Sequence, residues 1–100
     1  GTWYQPGSGA CGFENSASDL IVAVSTEIYD NYPGYTGGNP NNDPVCKKGI
    51  TVNYEGHSVS VTVVDRCVGC ATTDLDLSPA AFERLAPLSA GRIPITWNWN

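Results

Sequence analysis

A chain of 100 residues with a formal net charge of −5 has room for one domain and a small hydrophobic core. The acidic balance argues against nucleic acids and anionic membranes as partners, because both are bound through clustered Lys and Arg. No apolar run approaches the ~20 residues of a membrane-spanning helix. The 11 glycines and 7 prolines, with few charged residues, indicate β-structure with long turns rather than a helical bundle.

The predicted elements are short. In chain order, the β-type segments are residues 2–4, 20–24, 50–54, 58–64, 75–77 and 92–97. Residues 50–54 and 58–64 alternate between apolar and polar side chains, and Glu55-Gly56 between them predicts a hairpin. Ser25 and Ser78 have the position of helix caps, which predicts one helical turn over 25–29 and a short helix over 78–86.

Strands this short would leave open edges if they formed a flat sheet. A small closed barrel removes those edges. We therefore predict a mainly β, single domain over residues 1–100. The stretch 30–44 is rich in Asn, Gly and Tyr and is predicted to be a long surface loop, of the kind that often carries function.

The four cysteines favour two disulfides and a secreted, extracellular protein, and we expect a mature chain from which a leader was removed. Three pairings are possible, and we favour Cys11–Cys46 and Cys67–Cys70. Closing the longer loop stabilises by roughly 3–4 kcal/mol. The Cys67-x-x-Cys70 spacing also suits zinc, but His57 lies in another strand and the other cysteines stand alone. We expect no metal and no cofactor.

Two aspartates flank the loop between the fourth and fifth predicted strands. Asp65 follows an apolar strand, and Asp76 lies between two leucines. Paired carboxylates are the groups that glycoside chemistry uses. If both face one groove, their repulsion should raise the pKa of one of them. Asp65 could instead pair with Arg66 or accept loop N–H groups, and Asp74 is interpreted as a solvated surface charge.

Several motifs occur in the order that a known family shows. They are Thr2-Trp-Tyr4, Gly9-Ala-Cys-Gly12, Val64-Asp-Arg66, and Leu75-Asp-Leu-Ser78 followed by Ala81-Phe82. Together they resemble the six-stranded double-psi β-barrel, with one or two short helices, of expansins, barwin-like proteins and family-45 endoglucanases. The order and the final Ile-Thr-Trp strand are most similar to the fungal expansin-like loosenins. The resemblance covers essentially the whole chain.

The resemblance implies a monomeric, secreted protein that loosens cell walls by binding a β-linked glycan, such as cellulose or chitin, in an open groove. Asp76 matches the aspartate needed for wall loosening, which is also the catalytic acid of related glycan-cleaving enzymes. Asp65 matches a second groove aspartate, and Thr2 and Tyr4 match groove residues of the first strand. The endoglucanase general base falls at Pro6, so hydrolysis is not expected. Because the sequence stops at Asn100, we expect no C-terminal carbohydrate-binding module and therefore a weaker affinity for crystalline cellulose.

Aromatic residues supply further candidates for polysaccharide binding. On the first strand Tyr4 is predicted to face the groove and Trp3 the core. Tyr32 and Tyr35 could stack on sugars from the 30–44 loop, or could pin that loop. Trp99 could be an exposed sugar platform or a packed chain end.

Two other functions stay open. A lytic transglycosylase could use Asp76 alone as acid and base, because a sugar hydroxyl replaces water. A secreted protease inhibitor or effector of the barwin-like fold would act through exposed loops such as 30–44 instead of the groove.

Overall fold

The computed structural model describes residues 1–100 and contains six strands and two short helices. The strands are β1 (Thr2–Trp3), β2 (Ile21–Ser25), β3 (Gly49–Tyr54), β4 (His57–Cys67), β5 (Leu75–Leu77) and β6 (Thr96–Trp99). The helices are α1 (Thr26–Asn31) and α2 (Pro79–Glu83), and single 3-10 turns span Pro40–Asn42 and Leu88–Ala90. No helix is both long enough and apolar enough to cross a membrane.

The strands form one sheet in the order β1-β5-β2-β4-β3-β6, in which β1/β5 and β2/β4 are parallel pairs. The two ends of this sheet meet through the segment before β6. Thr2 pairs with Arg92, and the Ile93 N–H donates to the Gly1 carbonyl at 2.9 Å. The sheet therefore closes on itself, and the predicted six-stranded double-psi β-barrel is confirmed.

The last predicted strand, 92–97, is wrong in its bounds. Arg92 and Ile93 pair with the start of the chain, whereas β6 begins only at Thr96 and pairs with β3. Pro94 lies between the two pieces and has no N–H to offer a neighbouring strand, so the pairing is interrupted there. This interruption lets one segment join both ends of the sheet.

The alternation seen in the sequence sets the core. Val59, Val61 and Val63, the apolar members of the alternation in β4, point inward and are buried. Glu55 and Gly56 both have positive φ, at 45° and 83°, which is the conformation of a two-residue hairpin turn that matches strand twist.

Both predicted helix caps form. The Ser25 and Ser78 hydroxyls accept hydrogen bonds from the third residue of each helix. The second helix is shorter than predicted, because after Glu83 the chain tightens and the N–H groups of Leu85 and Ala86 both reach the Phe82 carbonyl.

Both favoured disulfides are present. Cys11–Cys46 fastens the 9–12 loop to the turn before β3, and Cys67–Cys70 clips the loop that follows β4. The Cys11 half is buried beside Tyr29 in the main core, whereas the Cys67 half is only partly buried.

Candidate functional site

Four residues form a row across four neighbouring strands. Ala23 of β2 pairs with Asp65 of β4 on one side and with Asp76 of β5 on the other, and Asp76 also pairs with Thr2 of β1. Directly paired residues project to the same face of a sheet. The row Asp65–Ala23–Asp76–Thr2 therefore lies on one face, with the two acid Cα atoms about 10 Å apart at two strand spacings. Ala23 presents only a methyl group between the acids.

A β-bulge brings Asp65 to this face. Val22 pairs with Val63, but the next pair is Ala23 with Asp65, so Val64 is an extra residue in β4. Strict alternation from the inward-facing Val63 would direct Asp65 into the core. The extra residue reverses the alternation and turns the carboxylate to the outer face.

The 9–12 loop holds the bulge in place. The Cys11 N–H donates to the Val64 carbonyl at 3.1 Å, and the Ala10 N–H donates to Asp65 Oδ1 at 2.8 Å. A Cβ atom on Gly9 would lie 2.5 Å from the Val64 carbonyl oxygen. The loop can approach the bulge only because this residue is glycine.

The sequence left open whether Asp65 pairs with Arg66 or accepts backbone N–H groups of the loop, and the structure shows the second arrangement. Asp65 Oδ1 also accepts the Arg66 N–H at 2.8 Å, so it binds two backbone donors. The Arg66 guanidinium turns away and pairs with Asp30 of α1 at 2.9 Å, over the Tyr29 ring. The remaining carboxylate oxygen of Asp65 makes no hydrogen bond within the protein.

Asp76 is held differently. The Thr2 hydroxyl donates to its Oδ1 at 2.8 Å, and Cys67 Sγ lies 4.0 Å from its Oδ2. Burial raises the pKa of Asp76, and the charge of Asp65 raises it further, whereas the hydrogen bond from Thr2 opposes the shift. The direction agrees with the repulsion expected from the sequence, but burial is the larger cause.

Tyr4 and Trp3 point to opposite sides, as the strand alternation predicts. Burial, followed by the charges of Asp65 and Asp76, raises the pKa of the Tyr4 phenol. The phenol therefore lies near both acids. The Trp3 ring packs against the core, and its indole N–H donates to the Leu88 carbonyl at 3.0 Å.

Three other candidates do not join this row. Tyr32 and Trp99 contact each other edge to face, with ring centroids 5.5 Å apart, and Trp99 contacts Trp97 at 5.2 Å. We refer to Tyr32, Trp97 and Trp99 as the aromatic shelf. Tyr35 packs against buried Tyr29 at 6.0 Å, which is the arrangement of a tyrosine that pins its own loop.

Asp74 is not simply a solvated charge. It pairs with Arg92 at 2.9 Å and accepts the Ala71 N–H, and these contacts lower its pKa. Asp74 therefore links the loop before β5 to Arg92, which lies in the segment that closes the barrel.

Sequence reasoning missed Ala23 and Gly9 as parts of the site. Ala23 is the one small residue within a run of branched apolar side chains, and Gly9 opens the Gly-Ala-Cys-Gly motif. Both residues stand out in the sequence, but their roles depend on how β2, β4 and β5 pair, which the sequence does not show.

The chemistry of the site follows from its groups. It offers one acid with a raised pKa, a second carboxylate, a hydroxyl and a phenol, all of which can bond to sugar hydroxyls. Pro6, at the place of the expected general base, carries no titratable group. No three His, Cys, Asp or Glu side chains cluster so as to hold a metal ion.

Comparison with known proteins places this architecture in a family. Residues 1–97 match the double-psi β-barrel family described as lytic transglycolase. The papain inhibitor of Streptomyces mobaraensis is 40% identical over 98% of this chain and 67% of its own. Allergen Asp f 7 of Aspergillus fumigatus is 38% identical over 91% of this chain, which spans only 30% of that protein.

Two solved structures share the fold. A Streptomyces papain inhibitor superimposes with a TM-score of 0.86 at 41% identity, covering 98% of this chain and 87% of its own. A mutant Clavibacter michiganensis expansin in complex with cellohexaose gives a TM-score of 0.79 at 29% identity, covering 99% of this chain and 47% of the expansin. The chain therefore belongs to the lytic transglycolase family of double-psi β-barrel proteins and is expansin-like.

Proposed function

We propose that this protein is secreted and binds a β-linked wall glycan, such as cellulose or chitin, along the row Asp65–Ala23–Asp76–Thr2. In this proposal it loosens the packing of the polysaccharide without hydrolysing it. The observation that carries the proposal is the placement of two acids on one face of the sheet, with the small, buried Ala23 between them. The expansin relative bound to cellohexaose supports it.

The roles follow from the contacts. When protonated, Asp76 can donate a hydrogen bond to a glycan oxygen, and when ionised it can accept one from a glycan hydroxyl. The hydrogen bond from Thr2 orients the Asp76 carboxyl group. Asp65 is fixed by backbone donors and offers its free oxygen to a second hydroxyl. Inverting hydrolysis needs carboxyl groups on opposite sides of the sugar. Here both acids project from one face and Pro6 replaces the expected base, so binding is favoured over bond cleavage.

The disulfides support an extracellular location, and the net charge bears on the kind of glycan that is bound. Two disulfides are typical of an oxidising, extracellular environment. The net charge of −5 disfavours anionic polymers such as pectin and is compatible with neutral or cationic glycans.

The test is retention on insoluble cellulose and chitin, with parallel analysis of soluble reducing ends and anhydro-sugars. Asp76→Asn should reduce retention, while Glu55→Gln in the remote hairpin turn, a matched loss of one carboxylate, should leave it unchanged. No soluble product should accumulate. Products that form with wild type and vanish in Asp76→Asn would establish the lytic alternative instead.

A second candidate is inhibition of a papain-like cysteine protease, favoured by the similarity to papain inhibitors over nearly the whole chain. Such inhibition would use exposed loops instead of the acid row. It predicts that Thr36→Arg, in the exposed 30–44 loop, weakens inhibition of papain while Asp76→Asn has no effect. Papain inhibition without glycan retention would make this the leading function.

A further inference from the structure

We propose that the aromatic shelf, together with Glu27 and Asn31 of α1, is a separate binding site for an amine-bearing sugar of the glucosamine type. This inference rests on the proposed function only in taking the ligand to be a wall glycan. The site does not include the acid row, and its ligand chemistry differs from that of a neutral glucan.

The first observation concerns the direction of the tryptophans. Trp99 pairs with Ile50 and Trp97 pairs with Val52, and both partners belong to the buried core. Paired residues share a face, so the two indoles project from the core-facing side of β6. Trp99 is nevertheless 41% exposed. At this end of the barrel, therefore, a large inward-facing ring is left uncovered.

The second observation is a cavity of about 360 Å³ beside that ring, between β6 and α1. It is lined by Glu27, Ile28, Asn31, Tyr32, Pro33 and Trp99. The shelf beside it is held in place, because the Trp97 indole N–H donates to the Thr73 carbonyl at 2.9 Å. The rings therefore form a preformed wall, which lowers the entropy that a ligand must lose on binding.

The third observation is the polar chemistry of the lining. Glu27 is the only charged side chain there and forms no ion pair. The Asn31 amide donates to the Glu27 backbone carbonyl at 2.9 Å, which leaves its amide oxygen as an acceptor. Aromatic faces with nearby carboxylate and carbonyl acceptors are a typical environment for an ammonium group. A uronate would be repelled, and a neutral sugar would leave the carboxylate without a charged partner.

The position of the shelf favours a polymer over a small amine. Thr73, whose carbonyl accepts the Trp97 indole N–H, lies in the turn just before β5, three residues before Asp76. In this proposal a glycan of several sugar units that occupies the acid row extends past this turn to the shelf. The acid row would bind the hydroxyl groups of the glycan, and the shelf would add a contact that selects for a positive charge on the glycan.

The experiment is titration by calorimetry at about pH 6, where a primary amine is protonated, with glucosamine hexamer, N-acetylglucosamine hexamer and cellohexaose as probes. Glucosamine hexamer should bind several-fold more tightly than the acetylated hexamer. Glu27→Gln and Trp99→Ala should each weaken its binding by about two- to tenfold. Glu83→Gln, an exposed carboxylate on α2, and Val68→Ala, an exposed apolar side chain on another loop, should have no effect.

Circular dichroism would show that each variant is folded, and Trp99→Phe keeps an aromatic ring if the alanine variant is unstable. Glucosamine hexamer binding that is unchanged in Glu27→Gln, or equal affinity for the acetylated hexamer, would overturn the proposal. So would self-association that sedimentation shows to depend on Trp99 while glycan binding does not. Retention on cellulose and its loss in Asp76→Asn are measured separately, so failure of the acid row is distinguishable from failure of the shelf.

Discussion

Replacing Gly9 with alanine should damage the fold and the site together. The added Cβ would lie 2.5 Å from the Val64 carbonyl oxygen, so the 9–12 loop must move away from the bulge. Two hydrogen bonds depend on that approach, Ala10 N–H to the Asp65 carboxylate and Cys11 N–H to the Val64 carbonyl. Losing one charged and one neutral hydrogen bond amounts to about 2–4 kcal/mol in the free energy of unfolding.

Urea unfolding followed by tryptophan fluorescence measures this change. With a slope of about 2 kcal/mol/M, the midpoint should fall by about 1–2 M. Gly7→Ala is the matched control, because its Cβ would meet nothing within 4 Å and its φ is not positive. It should leave the midpoint unchanged or raise stability by up to about 1 kcal/mol. Equal midpoints for the two variants would show that the loop does not hold the bulge.

Further predictions concern the acid and the disulfides. Because the pKa of Asp76 is raised in the folded state above its ordinary 3.8, the folded protein holds this proton to higher pH than the unfolded chain, and stability falls as pH rises through that window. Asp76→Asn should therefore unfold at higher urea than wild type at about pH 7 and not at about pH 3, and a destabilised variant at neutral pH would contradict the assignment. Removing Cys11–Cys46, whose cysteines are 35 residues apart, should destabilise by about 4 kcal/mol on the chain-entropy estimate. Removing Cys67–Cys70, with a separation of 3, should cost only about 2 kcal/mol, and the reverse order in thermal unfolding would refute this ranking.

Local signals explain what the sequence could predict. The alternation of β4, the Glu55-Gly56 turn and the capping serines each act within a few residues, and each appears in the structure where it was expected. The disulfides could be predicted because four cysteines allow only three pairings. The barrel could be predicted because a closed sheet is the arrangement that leaves short strands with no open edges. The family resemblance supplied the expectation that Asp65 and Asp76 lie on the same side of the barrel.

Long-range features explain what the sequence could not predict. The parallel pairing of β2 with β4 joins residues about 40 positions apart, and the bulge at Val64 exists only within that pairing. Counting alternation along the Val63-Val64-Asp65 run directs Asp65 into the core. The split of the last strand at Pro94 likewise depends on where the two ends of the sheet meet.

The two acids differ because the barrel gives them different donors. Asp65 lies at a bulge, where its carboxylate accepts the Arg66 N–H and the Ala10 N–H of the adjoining 9–12 loop. Asp76 lies within a regular strand, so its backbone neighbours are used in pairing and only the Thr2 hydroxyl reaches it. Burial raises the pKa of the Asp76 carboxyl and the charge of Asp65 adds to the shift, while the single Thr2 donor opposes it. The bulge therefore places Asp65 on the outer face, whereas the regular pairing of β5 leaves Asp76 with the Thr2 hydroxyl as its one hydrogen-bond donor.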